Sequence, residues 1–190
     1  MGEYTTDDGQ HVPASTLNQQ MGDFFERTVS AWMETRHKFR KRVKIGFVVP
    51  RKGRKTTLAT QSGPIWMLFH DPELSIVIDA EQKQRANWIL ASIKSVIDGT
   101  SPKGLFRDFF PGGWYNKSRE WREDSIVIST RTMTQRKEPS IITSSVDIGY
   151  TGGAPDVIAI DDPMSPETHT ESWMKQVINH YEGYGPVLVP

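Results

Sequence analysis

The sequence has no cysteine, no excess of either charge and no long apolar run. Without cysteine there are no disulfides, no thiolate zinc sites and no cysteine nucleophiles, which fits an intracellular setting. Lys+Arg 23 against Asp+Glu 23 leaves no net charge, so an anionic partner must be met by a local cluster rather than by the field of the whole protein. A histone-like or acidic-tail protein is thereby excluded. No apolar stretch approaches the roughly 18 residues that cross a bilayer, and the polar start has no signal-peptide core, which predicts a soluble chain without a membrane partner. Hydrophobic residues make up only 36%, yet six tryptophans and eight phenylalanines supply large units of buried area, enough for a packed core with exposed arms. A length of 190 residues suits one domain.

Met1 to Ser15 mixes Gly, Asp, Thr and Pro without periodicity and is expected to be a flexible arm, with the domain proper running from Thr16 to Pro190. Leu17, Met21, Phe24, Phe25, Val29 and Trp32 recur at three- and four-residue steps, which predicts a helix to about Met33. After the basic run Arg36 to Arg42, Val43 to Val49 reads as a buried strand that ends in a Gly, Arg and Lys loop. Thr57 to Phe69 is predicted helical with a break at Gly63-Pro64, Leu74 to Ile78 a strand, and Glu81 to Ile97 a helix with Ala86, Ile89, Leu90, Ile93 and Ile97 on one side. Gly99 to Glu123 reads as an irregular insertion. Ser125 to Thr130 and Ile141 to Ser145 are expected strands, paired as a hairpin, followed by the strand Val157 to Ile160 and a helix from Glu167 to Tyr181. Strands alternating with helices predict an α/β domain with a mainly parallel central sheet, because parallel neighbours need a crossover helix. The apolar end, Pro186 to Pro190, suggests a chain cut before its next strand.

Two segments carry chemistry. Val49-Pro50-Arg51-Lys52-Gly53-Arg54-Lys55-Thr56-Thr57 lies between a predicted strand and a predicted helix, the context in which backbone N–H groups cradle phosphates, a lysine reaches the β/γ oxygens and the next hydroxyl holds Mg²⁺. The strict pattern G-x-x-x-x-G-K-[ST] is not met, since Val49 and Arg54 take its glycine positions. Val157-Ile158-Ala159-Ile160-Asp161-Asp162 is an apolar strand ending in two acids, which suits one carboxylate for Mg²⁺ and one for the attacking water. On a parallel sheet both segments belong at the carboxyl edge, where such folds bind ligands.

The run from Val49 to Thr57 resembles the arginine-bearing Walker A segment of tailed-bacteriophage terminase large subunits, the ATPases that pump DNA into empty capsids. Glu138-Pro139-Ser140-Ile141, Tyr150-Thr151-Gly152-Gly153 and Asp156 to Pro163 resemble that family's approach to its Walker B strand, and the similarity covers Val43 to Pro163 in order. The resemblance implies a P-loop NTPase fold of the ASCE type that binds ATP and Mg²⁺, with Pro50, Arg51, Lys52, Gly53, Arg54, Lys55, Thr56 and Thr57 around the nucleotide. It assigns Lys55 to the β/γ phosphates, Thr56 and Asp161 to Mg²⁺, Arg51 to sensing the γ-phosphate and Asp162 to the catalytic position that relatives often fill with Glu. Some relatives carry an arginine finger where this chain has Thr151, and Arg131, after a predicted strand, is the candidate replacement. The coupling motif and the nuclease domain of such subunits do not occur in the sequence.

The partners implied are double-stranded DNA, the portal of the procapsid, the small terminase subunit and further copies in a ring, in the host cytoplasm. A helicase-like nucleic-acid ATPase and a non-catalytic DNA- or capsid-binding module remain open as alternatives. Arg36 to Lys44 reads as a solvated helix end, with contact to DNA phosphates as the alternative; Gln19 and Gln20 read as helix-surface glutamines, with the adenine-reading role that the resemblance implies as the alternative, and Gln82 and Gln84 as a solvated helix face. His169 and His180 are too far apart for one helical metal site. Trp66, Trp88, Trp114, Trp121 and Trp173 read as core or subunit contacts.

Overall fold

Ile76-Val77-Ile78-Asp79-Ala80 is buried at every position, a pattern that requires neighbours on both edges and cover on both faces. A computed structural model of the chain supplies them and describes residues 3–5, 11–13, 16–39, 44–46, 55–98, 113–115, 118–148, 153–164 and 170–187. It divides into two units, Met1–Leu58 and Ala59–Val189.

In the first unit, β1 (Glu3–Thr5) pairs antiparallel with β2 (His11–Pro13), Tyr4 opposite Val12. The segment expected to be a flexible arm thus contains a short ladder, and three-residue strands carry too little alternation to be read from sequence. Helix α1 (Thr16–Phe39) runs past the predicted end at Met33. Nothing between Glu34 and Phe39 stops it, since the stretch holds no Gly or Pro. Met21 and Val29 are buried on the predicted face, whereas Phe24 is exposed. Lys44 to Gly46 has no regular structure; the rest of the predicted strand 43–49 lies outside the described residues.

A π-helical segment, Thr56–Ser62, leads into α2 (Gly63–His70). The switch of helix type falls at Gly63-Pro64, where Pro64 sits in the first turn of α2 and its missing N–H costs nothing. Strand β3 (Ile76–Ala80) is joined by a two-residue connection to α3 (Lys83–Ile97). β4 (Ser125–Ile126), β5 (Ile141–Ser145), β6 (Val157–Asp161) and α4 (Glu171–Val187) follow.

The sheet order is β4-β5-β3-β6. β3 runs parallel to both neighbours, with Ile76 level with Ile141 and Val157, while β4 pairs antiparallel with β5. The fold is α/β with a four-stranded mixed sheet, which corrects the mainly parallel sheet expected. β4 is also shorter than Ser125 to Thr130, because the backbone N–H of Val127 donates to Glu120 and that of Ile128 to the Ser140 hydroxyl rather than extending the ladder. Helix α3 lies on the face that carries Ile78, Thr143 and Asp161, shown by hydrogen bonds from Thr143 to Asn87 and from Arg85 to Asp161. Its predicted apolar side, Ala86, Ile89, Leu90, Ile93 and Ile97, is wholly buried, each large aliphatic side chain contributing about 1.5–3 kcal/mol.

The end of α3 is clamped by Gly113 and Trp114. Trp114 is 2% exposed and its backbone N–H donates to the Ile97 carbonyl at 2.6 Å. Gly113 has φ +58°, and a Cβ there would lie 2.6 Å from the Ile97 carbonyl oxygen and 3.1 Å from the Asp98 carbonyl carbon. Gly113→Ala therefore meets both left-handed strain and a backbone clash, and is expected to destabilise the fold by about 1–3 kcal/mol. Urea unfolding checks this, with an unchanged midpoint counting against the clamp.

Candidate active site

The three parallel strands end level. Ala80 stands beside Ser145 and beside Asp161, so these residues mark one carboxyl edge. Asp161, the last residue of β6, is 3% exposed and lies on the α3 face. The next residue, Asp162, has φ +41°, in the left-handed region where Asp is among the few tolerated side chains. That turn brings its carboxylate onto the same cation that holds Asp161.

The cation is Arg85. Its Nη2 lies 3.0 Å from Asp161 Oδ2 and 3.0 Å from Asp162 Oδ2, and its Nε lies 3.2 Å from Asp161 Oδ2. One guanidinium therefore bridges two consecutive carboxylates, with Asp161 inside and Asp162 and Arg85 both about one third open to solvent. The sequence signal was present but missed. Arg85 sits in the first turn of α3, where the helix dipole disfavours a cation and where no acid accompanies it. A basic residue in that position needs carboxylates from another element. The neighbouring Lys83 is turned elsewhere, donating to the Thr143 carbonyl at 2.6 Å and lying 4.0 Å from Asp124.

Of the loop residues, Lys55, Thr56 and Thr57 are described, Thr56 and Thr57 opening the π-helical segment in the first unit. Pro50, Arg51, Lys52, Gly53 and Arg54 lie outside the described residues. Two carboxylates from one strand end suit a hard divalent cation that completes its shell with phosphates and water. The donor chemistry therefore fits Mg²⁺. Among the described residues no group of three or more His, Asp or Glu side chains could hold a metal by itself.

Arg131 is at the other end of the sheet. It is 2% exposed, with Nη1 donating to the Glu138 carbonyl at 2.6 Å, Nη2 to the Glu73 carbonyl at 3.3 Å, and Nε 3.7 Å from the Glu73 carboxylate. Glu73 precedes β3 and Glu138 precedes β5, so this is the amino edge, about 17 Å from the carboxyl edge at roughly 3.3 Å per residue. A guanidinium engaged in this way is a strut, neither an ordinary surface arginine nor a side chain able to reach a phosphate without breaking its own contacts. Burial and the nearby Arg136 lower its pKa, against the opposing pull of Glu73, Asp156 and Glu138. Burial would raise the pKa of Glu73, but hydrogen bonds from Thr132 and Met133 and the Arg131 charge outweigh it and hold the carboxyl below its ordinary 4.5. Arg136 extends the network to Asp156 at 2.7 Å, and Asp156 accepts from the Ser75 N–H at 2.8 Å, tying the lead-in of β6 to the start of β3. The Glu138 and Asp156 segments noted in the sequence thus do structural work at the amino edge.

The opposite face of the sheet carries a polar cluster that the sequence reading passed over. Asp79 and its register partner Ser144 point away from α3 toward α4. His180 Nε2 lies 2.7 Å from Asp79 Oδ2, and the Tyr184 hydroxyl donates to the same oxygen and lies 3.1 Å from Ser144 Oγ. Burial raises the Asp79 pKa above 3.8 despite these bonds, and burial together with the Asp79 charge pushes up both Tyr184 and Tyr181. His180 thus belongs to a latch between α4 and the sheet. Trp114 is core, as expected, while Trp88 is 65% exposed.

Asp79→Leu strands the His180 and Tyr184 groups and is expected to cost about 1–3 kcal/mol per unsatisfied partner, whereas Asp79→Asn keeps an acceptor and costs less. The raised carboxyl also sets a sign. Just above pH 3.8 the folded chain keeps a proton that the unfolded chain has released, so stability falls as pH rises through that interval. Asp79→Asn should flatten that part of the profile, measured by denaturant titration at stepped pH; an identical slope in the variant would refute the assignment. In comparisons with known proteins, no protein-family model and no curated protein matches the chain.

Proposed function

We propose that this chain is the ATPase domain of a terminase large subunit, a P-loop NTPase that hydrolyses Mg·ATP to drive double-stranded DNA into procapsids. The observation that carries this reading is the acid pair Asp161-Asp162 at the carboxyl end of a parallel strand, one carboxylate buried and the next turned outward by a left-handed backbone. The ordered resemblance from Val43 to Pro163 supports it further.

The reaction is attack of water on the γ-phosphate. Lys55 neutralises β/γ oxygens, Arg51 senses the γ-phosphate, and Thr56 and Asp161 supply oxygen ligands. Magnesium, when bound, disperses charge on the phosphate oxygens. Asp162, being more exposed than Asp161, accepts the proton of the water or orients it. With Arg131 used as a strut, an arginine finger comes from a neighbouring copy in a ring, so the isolated chain binds nucleotide and turns over slowly. The portal, the small subunit and the host cytoplasm follow from the same reading.

Calorimetric titration of ATP with and without Mg²⁺ tests it. Lys55→Ala is expected to weaken binding at least tenfold, on the scale of a lost charge-assisted contact of about 1.5–3 kcal/mol. Unchanged affinity rejects the nucleotide assignment and leaves a binding module without catalysis. In an assembled motor, Asp162→Asn should keep nucleotide binding while turnover drops by about 10²-fold or more. Retained turnover removes Asp162 from the mechanism.

A further inference from the structure

We propose that Arg85 is a positioning residue that holds Asp161 and Asp162 by standing in for a divalent cation, and that it competes with that cation for the same carboxylate oxygens. The inference rests on the nucleotide reading above and deepens it by naming a regulator of the same acids.

Three observations lead there. A single nitrogen, Arg85 Nη2, lies 3.0 Å from Oδ2 of each aspartate, so the guanidinium occupies the place between the two oxygens that a small cation would use. The first turn of α3 holds no acid, and Lys83 is spent on Thr143 and Asp124, so Arg85 serves the aspartates rather than its own helix. The bridge is also displaceable. Asp161 is buried, but the side chains of Arg85 and Asp162 are 39% and 34% exposed, so the guanidinium can move into water without opening the core.

The shared atoms set the direction of the effect. The guanidinium and a divalent ion would use the same Oδ2 of Asp161 and Oδ2 of Asp162, and two cations on the same oxygens repel each other. Binding of the metal and retention of the Arg85 bridge therefore oppose each other, and by linkage each weakens the other to the same degree. With the metal absent, the bridge keeps Asp162 in its left-handed turn. With the metal present, Arg85 is released.

Mn²⁺, titrated alone into the full chain and followed by electron paramagnetic resonance, provides the test. Arg85→Gln is expected to raise Mn²⁺ affinity about tenfold over wild type, within the ordinary range for coupled sites. Arg85→Lys, which keeps the charge, should stay closer to wild type. A glutamine variant that binds Mn²⁺ no more tightly than wild type, including one that binds none, overturns the proposal. So does an Asp161→Asn variant with undiminished Mn²⁺ binding. A second measurement needs no substitution: Mn²⁺ should speed phenylglyoxal modification of Arg85 in the unaltered chain, read by mass spectrometry, and unchanged or slower modification overturns the proposal. The nucleotide reading fails separately, through the response of Mg·ATP affinity to Lys55→Ala.

Discussion

Parallel pairing of β3 with both β5 and β6 is the constraint from which the rest of the second unit follows. Each rung ties Ile76 to Ala80 to residues that are far away in sequence, so the strands must start and stop together. Once they do, Asp161 has no freedom in where it emerges. The buried aliphatics of α3 press on one face and the Asp79 cluster fastens α4 to the other. Shifting β6 by one residue would send Asp161 to the α4 face and bring Ile160 under α3.

The two ends of the sheet divide the charged residues between them. At the amino edge, Glu73, Arg131, Arg136, Glu138 and Asp156 interlock with backbone groups, and their positions are over-determined. At the carboxyl edge the Arg85 guanidinium bridges two acids at the boundary with water. Dense networks resist rearrangement, while a shared and partly exposed contact yields at small cost.

What could be read in advance depended on how much of the pattern was local. The apolar side of α3, the break at Gly63-Pro64, the strands around Ile141 and Val157 and the acids at Asp161-Asp162 all declare themselves within a few residues. The antiparallel pairing of β4 with β5 was legible as a hairpin, but the early end of β4 was not, because Glu120 and Ser140 compete for its backbone from outside the segment. Asp79 was hidden because it interrupts an apolar run, and the predicted strand stopped short of it; its partners lie about a hundred residues away. Arg131 shows the opposite case. Its place after a strand drew attention, but only the fold reveals that Glu73 and Glu138 enclose it at the far edge. Arg85 stands between these cases, since an uncompensated cation in the first turn of a helix is itself a cue to look for acids elsewhere.

The positive φ of Asp162 also bears on which amino acids this position can accept over time. A β-branched or bulky residue would have to push the chain out of its bend before any question of proton transfer arose, whereas Asn and Gly would sit there comfortably. Even glutamate, chemically the nearest alternative, lacks the short polar arm that eases such a conformation. Geometry thus screens the alphabet ahead of reactivity, and a shorter acid at this point is what a backbone so constrained would be left with.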